Sequence, residues 1–442
     1  MSRRIAVVGS GIAGLAAAWW LSRRHDVVLF EANDYLGGHT HTHAITHGGR
    51  SYAIDTGFIV FNRAHYPLLT GLFDRLGVAS QPTTMSFSVH SDASGVVYNA
   101  TSLDGLFCQR RNLVSPRFFS MLRDLTRFYR EAPALLQGDD AGPTLGAYLE
   151  RHRYGAAFRD EHIVPMASAL WSSPSRQVLE FPARYLVQFM HNHQMLQLSG
   201  RPPWRVVSGG SQRYVDALQR AWSVRTRLST PVLGIVRGDA GVTVQTAAGA
   251  EVFDDVVLAC HSDQALALLH DADADERAVL GAIRYQDNDT VLHTDARLLP
   301  RERKAWAAWN AHVPRDPAAA CTVSYCMNLL QGIDAPEPFV VTLNRTEAID
   351  PAKILRRMRY AHPVYDAAMV AAQQRKPQIQ GRRHTWFAGA YWGWGFHEDG
   401  IRSAAEVARA LGALPSDVDI VATPGLRRSK PDTSGSAPRA VA

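Results

Sequence analysis

Six residues near the start constrain this chain most. Gly9-Ser10-Gly11-Ile12-Ala13-Gly14 sets a GxGxxG spacing between the apolar run Arg4 to Val8 and an alanine-rich stretch reaching about Arg24. The run reads as a short buried strand, the stretch as a helix, and Asp26 to Phe30 as a second strand, so the glycines open one βαβ unit. In that context each glycine has a mechanical task. The first makes the tight turn, the second lets backbone approach a pyrophosphate, and the third lets helix and strand pack closely. The helix start offers unpaired N–H groups and the positive end of its dipole to phosphate. Glu31 closes the second strand about 20 residues beyond the turn, where a carboxylate can accept both hydroxyls of a ribose. A dinucleotide site is expected, and NAD and FAD satisfy the fingerprint equally.

The rest of the composition allows an enzyme of ordinary size. The chain has 442 residues, 46% hydrophobic and 20% charged, enough for two to three packed units and a sizeable core. Its 47 Lys plus Arg against 41 Asp plus Glu give +6, mild basicity that excludes a dedicated nucleic-acid binder and leaves anionic membrane or substrate open. Cys108, Cys260, Cys321 and Cys326 show no CxxC spacing, as expected of a reduced cytoplasmic chain. The two arginines before the first apolar stretch imitate a secretory signal, but Gly9, Gly11 and Gly14 interrupt it and no small-residue cleavage site follows. No segment reaches the roughly 20 apolar residues of a membrane span, so the chain is expected to be cytoplasmic or peripheral at the inner face of a membrane.

Strand character recurs at Tyr52 to Val60, Thr230 to Val236, Val242 to Gln245, Asp255 to Ala259 and Thr385 to Ala388, while Ser115 to Tyr214 reads as mainly helical. A final helix is expected from about Ile401 to Leu411. Nucleotide-binding signals thus fall at the start, middle and end. They predict an α/β (mixed α+β) fold in which a Rossmann-like cofactor-binding domain, discontinuous over 1–85, 200–284 and 381–413, carries an inserted substrate domain of mixed sheet and helices over 86–199 and 285–380. The Pro- and Ser-rich remainder, 414–442, reads as a disordered tail.

Several further motifs separate FAD from NAD. Glu31 and Ala32 are followed by Leu36-Gly37-Gly38-His39-Thr40 and by Asp55-Thr56-Gly57-Phe58-Ile59, and Phe387-Ala388-Gly389-Ala390 leads to Glu398-Asp399-Gly400-Ile401. With these the sequence resembles the flavin-containing amine oxidase and phytoene-desaturase-like superfamily along most of its length. The resemblance implies noncovalent FAD. It places Gly9, Ser10, Gly11, Ile12, Ala13 and Gly14 on the adenosine diphosphate, Glu31 and Ala32 at the ribose, and Gly37, Gly38, His39 and Thr40 along the pyrophosphate and ribityl chain. Thr56, Gly57, Phe58 and Ile59 also fall at the cofactor. It further implies that Val232 holds adenine by backbone contacts, that Cys260 ends the strand returning to the dinucleotide, and that Gly389, Ala390, Asp399 and the amides of Gly400 and Ile401 meet the flavin ring. Two residues depart from the superfamily: His39 stands where it has Arg, and Ala390 where it has Glu. The segments LGGHTHT, DTGFIVFN, RRNLVSPRFFSML and YWGWGFHEDGIRS look like an uncharacterised bacterial branch often encoded beside cyclopropane-fatty-acyl-phospholipid synthase-like methyltransferases. That neighbourhood implies a lipid acyl chain, methyl-branched in one version, as substrate and a lipid methyltransferase as a partner.

Individual residues carry rival readings. His39, His41, His43 and His47 invite a metal, but no carboxylate or Cys completes a ligand set, so no metal is expected. Tyr391, Trp392 and Trp394 read equally well as walls of a substrate site over the flavin and as core aromatics. His397 and Glu398 are the titratable residues nearest the expected ring and the candidates for handling a proton, with Asn62, His65 and His261 behind them. A helix from Pro116 sets Phe118, Met121, Leu122, Leu125, Phe128 and Tyr129 on one face beside Arg117, Arg123, Arg127 and Arg130, a pattern that either lies on an anionic membrane or packs on its own domain. The leading expectation is an FAD-dependent oxidoreductase that removes a hydride from a hydrophobic, acyl-chain substrate. The rivals are a peroxide-producing amine oxidase with an aromatic cage, a redox-neutral double-bond isomerase, and a non-catalytic flavoprotein partner of a lipid methyltransferase.

Overall fold

The computed structural model describes residues 2–137, 142–171, 175–198, 200–316 and 321–420. Five strands, β1 (Arg4–Val8), β2 (Asp26–Phe30), β3 (Val224–Arg227), β4 (Asp255–Leu258) and β5 (Thr385–Phe387), form one sheet in the order β3-β2-β1-β4-β5. Every neighbouring pair is parallel. The continuous apolar runs of β1 and β4 follow from burial on both faces. Helix α1 (Ile12–Leu21) is buried at all ten positions, which explains why its sequence is apolar all round. The fold is the mixed α/β arrangement expected.

A second, seven-stranded sheet takes its strands from residues 87–99 and 285–363. It is antiparallel except where Trp309–Val313 runs beside Phe87–Ser91. The largest apolar core joins the nucleotide sheet to the helices between residues 118 and 190. Other helices used below are α2 (Pro67–Leu76), α3 (Pro116–Glu131), α4 (Gln212–Ala221) and α5 (His397–Ala410).

Four local expectations change. Tyr52 to Val60 is not one strand: a hairpin strand ends at Asp55, and only Val60–Phe61 pairs again, with Trp204–Val207. That last strand interrupts the stretch read as helical. Helix α5 starts at His397, four residues before Ile401, because the Asp399 carboxylate accepts the Trp394 and Phe396 amides and caps the chain there. The tail does not begin at residue 414, since Leu414, Val418 and Ile420 pack on the core; residues 421–442 lie outside the described residues.

Helix α3 turns its apolar face inward. Phe118, Met121 and Phe128 are buried, and Leu122, Leu125 and Tyr129 pack against the same core, so of the two readings of this face the packing on its own domain is the one observed.

A buried ion pair ties the three-stranded sheet 232–253 to the helix Ala274–Leu280. Arg237, with no side-chain exposure, is gripped by Glu276, itself 1% exposed, and by Asp271. Removing one partner leaves a desolvated charge uncompensated. Glu276→Ala is expected to lose about 3–5 kcal/mol in denaturant unfolding; a loss near the ~1 kcal/mol of a surface pair would contradict this account.

Candidate functional site

The carboxyl ends of β1, β2 and β4 converge on a cradle of backbone amides. Gly9 turns at φ +97°, where an added Cβ would press on Ala259 and Cys260. Gly14 lies so close to Gly9 that a Cβ would sit 1.9 Å from the Gly9 carbonyl oxygen, so the helix can approach the turn only as glycine. Gly11 differs: no atom lies within 4 Å of where its Cβ would be. Its bare face opens onto free space at the start of α1, where the amides of Gly11, Ile12, Ala13 and Gly14 have no intrahelical acceptor. These features fit a diphosphate.

Glu31 ends β2 beside this cradle and is 6% exposed. One of its carboxylate oxygens accepts the Ser10 amide and hydroxyl (2.9 and 2.6 Å), the other the Asn33 amide and side chain (2.8 and 2.9 Å). All four lone-pair directions are taken, so a ribose that binds Glu31 must replace one of these donors. Ala32 is exposed next to it. The segment leading to Val232 joins the same corner, with the Thr230 amide bonded to the Glu31 carbonyl at 2.8 Å. Cys260 follows β4, and burial pushes its thiol up to about 12.

Beyond the diphosphate cradle the chain runs through Gly37 and Gly38. The Gly37 amide reaches the Ser10 carbonyl at 3.1 Å, and Gly38 lies over Gly11. His39 follows, with His362 at 5.3 Å, His261 at 6.0 Å and Tyr360 at 5.0 Å between ring centroids. Burial holds His39 well below its ordinary value and lowers His362 to about 4. Gly57 passes under the His39 carbonyl, where a Cβ would be 2.1 Å from the oxygen. Thr56 bonds Tyr360, Phe58 stacks on the His397 ring at 3.6 Å, and Ile59 packs in the adjoining core. The His41 and His43 rings meet at a tilt, 4.0 Å between centroids, and His47 meets Glu337; among the described residues no group of three ligands could hold a metal.

His397, in the first turn of α5, closes a triangle with Thr40 and Tyr214 of α4. Its Nε2 lies 3.0 Å from the threonine hydroxyl and 3.3 Å from the phenol, which are 2.5 Å apart. Burial lowers the His397 pKa to about 3, so the ring is neutral. Sequence reasoning missed Tyr214, Tyr285, Tyr360 and His362, which carry no motif of their own and reach the site only through folding.

Several expected contacts are spent elsewhere. The Gly400 amide bonds Phe396 within the helix, while a Cβ on Gly400 would strike Ile12, so this glycine serves the packing of α5 on α1. Ile401 is a buried core residue of the same helix. Asp399 caps α5 and pairs with Arg402. Gly389 bonds Ser403, and the Ala390 carbonyl takes the amides of Gly393 and Gly395. The free first-turn amides are therefore those of His397 and Glu398.

Tyr391, Trp392 and Trp394 are all buried in the main core. Trp171, Tyr185 and Gln373 bond the carbonyls of their loop. Trp392 is covered by Lys376, whose ammonium lies 5.4 Å from the ring. Trp394 lines a small cavity with His65, His193, Phe396 and Glu398. Asn62 accepts the His65 amide, and His261 stacks on Tyr285 at 4.4 Å, away from that cavity's residues.

A parallel sheet whose carboxyl edge opens into a cradle of unpaired backbone amides has the geometry of the dinucleotide-binding class of protein. The profile of the flavin containing amine oxidoreductase family matches residues 12–292, and the chain belongs to that family; FAD is its cofactor. A candidate flavin-containing monoamine oxidase, AofH of Mycobacterium tuberculosis (strain ATCC 25618 / H37Rv), is 27% identical over 257 residues, 55% of this chain and 54% of that protein. The chain thus spans about half the length of this relative. The 1-hydroxycarotenoid 3,4-desaturase of Flavobacterium sp. (strain P99-3) is 45% identical over 64 residues, 14% of this chain and 12% of that protein. The crystal structure of a CLA-producing fatty acid isomerase from P. acnes shares the fold, with a TM-score of 0.64, 18% identity, and coverage of 92% of this chain and 98% of that one.

Glu398 has a structural partner that bears on its candidacy as a base. Its two oxygens accept the Leu68 and Leu69 amides, at 3.0 and 3.1 Å, and so cap α2 from α5. Burial nevertheless lifts the carboxyl from an ordinary 4.5 to about 7. The fold therefore holds this proton more tightly than the unfolded chain does. As pH rises from about 4.5 to about 7 the unfolded state releases it first, and stability falls. The depressed histidines act the other way, so the difference from Glu398→Gln isolates the effect. Relative to that variant, wild type should lose stability across this interval, with a slope of at most about 1.4 kcal/mol per pH unit. Parallel pH profiles of thermal unfolding for the two proteins would exclude it.

Proposed function

We propose that this chain is an oxidoreductase that holds FAD noncovalently, removes a hydride from a hydrophobic substrate, and passes the electrons to a separate acceptor. A lipid acyl chain is the substrate class that fits. When bound, the flavin supplies the two-electron acceptor. The protein's part is to orient, exclude water and tune charge.

The observation that carries the reading is the electrical neutrality of the site. Burial holds His39, His362 and His397 unprotonated and raises Tyr285, Tyr360 and Tyr391 above their ordinary range. Glu398 is committed to the α2 amides. A C–H hydride donor needs a dry, oriented site more than an ion-pair partner, whereas an ammonium group would look for aromatic faces or carboxylate. Trp392 already has Lys376 over its ring. Cys260, beside the cradle, carries a thiol too basic to attack a flavin as thiolate near neutrality, which supports noncovalent attachment. Two similar proteins have names that speak of apolar chains, a carotenoid desaturase and a fatty acid isomerase. The AofH likeness favours the amine oxidase as the second reading.

Two measurements test this. Gly11→Val should fold, because its backbone has φ −61° and its Cβ direction is open, yet it should fill the diphosphate's place. FAD affinity is expected to fall by about tenfold or more, roughly 1.4 kcal/mol, with unfolding of the apoprotein unchanged; equal flavin content in the two proteins would remove the cradle assignment. Anaerobic mixing of the flavoprotein with straight and methyl-branched acyl phospholipids should bleach the oxidised-flavin absorbance. A shifted double bond without net bleaching would establish the isomerase instead, and peroxide release with amines in air the amine oxidase. Unchanged absorbance with all of them would leave a flavin-carrying partner of another enzyme.

A further inference from the structure

Although α3 buries its own apolar face, the segment that leads into it does not. Leu103 is 75% exposed, Val114 81%, Leu113 48% and Phe119 47%, four large apolar side chains within seventeen residues of chain. A second exposed apolar group, Leu228, Leu233, Val236 and Val252, lies on and beside the three-stranded sheet 232–253; the group before α3 is the more exposed of the two at its tip. The short helix Leu103–Leu106 and the 3-10 turn Arg110–Val114 are held beside each other by Arg110, which bonds Asp104. Phe107 then meets Phe119 of α3 at 6.2 Å between ring centroids.

The same knob is ringed by cations. Arg110 and Lys304 share Asp104, and their side chains are 67% and 60% exposed. Arg111 is exposed beside them and bonds the Gly95 carbonyl and Gln109, not an acid. Arg123 lies one turn beyond Phe119 on the same outer side of α3 and is 76% exposed, whereas Arg117, 49% exposed, bonds the buried Glu161 at 2.8 Å. Their acidic neighbours, Glu161 and Asp124, are 3% exposed and turned inward. An apolar tip with an outward-facing basic collar matches a surface of acyl chains under anionic headgroups.

We propose that residues Leu103 to Phe119 form a docking surface for an anionic lipid bilayer, with Leu103, Leu113, Val114 and Phe119 entering the headgroup boundary and Arg110, Arg111, Arg123 and Lys304 meeting the phosphates. The proposal goes beyond the substrate reading. It requires no turnover of lipid, and vesicle binding can succeed or fail independently of flavin bleaching.

The test uses the full FAD-loaded chain in flotation with vesicles of phosphatidylcholine alone and of phosphatidylcholine with phosphatidylglycerol. Binding is expected to the anionic vesicles, to weaken as salt is raised, and to fall by about tenfold or more in Leu113→Asp/Val114→Asp. Arg110→Glu/Arg111→Glu should lose a comparable factor for the anionic vesicles alone. Val252→Asp, an exposed apolar position in the three-stranded sheet 232–253, should bind as wild type does. Flavin content and unfolding midpoint serve as the folding check for each variant. No flotation with either vesicle, undiminished flotation of the Leu113/Val114 variant, or a wild-type dimer that this variant converts to monomer would overturn the proposal, the last by assigning the knob to a second copy of the chain.

Discussion

The structure depends on backbone approaching backbone where two helices begin. Gly14 brings α1 against the Gly9 turn, and Gly400 brings α5 onto Ile12, at distances that a single methyl group would abolish. With those contacts made, the first turns of both helices lie together above the carboxyl ends of the parallel strands. Their dipoles and unpaired amides then create positive potential at that edge of the sheet. The bare side of Gly11 leaves the only opening the turn needs. The cradle is thus set by the absence of side chains, and the rest of the site is arranged around it.

What surrounds the cradle is unusual for its lack of charge. Histidines from three segments, 39, 261 and 362, meet Tyr285 and Tyr360 of the seven-stranded sheet where the chain passes from one sheet to the other. Desolvation leaves them uncharged, while the carboxylates nearby are occupied: Glu31 by Ser10 and Asn33, Asp55 by Thr42, Ser211 and Gln331, Glu398 by α2, Asp399 by its own helix cap. Acids that could act as bases are instead fasteners between elements. This gives the site rigidity and a low local dielectric, in which a bound redox group would feel the helix ends strongly.

Helix α3 illustrates how amphipathic patterning can mislead. Its apolar stripe and its arginines predict both a helix lying on a membrane and one packed on its own domain, and the pattern is the same for each. Folding chose packing for the helix and left exposed apolar residues on the turn before it, where no periodicity would draw attention to them.

Much was legible from local sequence. The turn glycines, the strands on either side, Glu31 and the return strand at Asp255 to Ala259 all obey short-range rules of backbone geometry and burial, so four of the five strands of the parallel sheet and its glycine turn could be read without a structure, while the edge strand Val224–Arg227, polar at alternate positions, could not. The start of α5 could not, because the Asp399 cap depends on how the aromatic loop folds back over it. Nor could the use of Trp392 by Lys376, the partnership of His397 with Thr40 and Tyr214, or the capping of α2 by Glu398, whose partners are 330 and 329 residues away. A sequence determines by itself what neighbouring residues impose on one another through sterics and hydrogen bonding. Which buried polar groups find partners, and so which remain available for chemistry, was decided only when distant segments were brought out of water together.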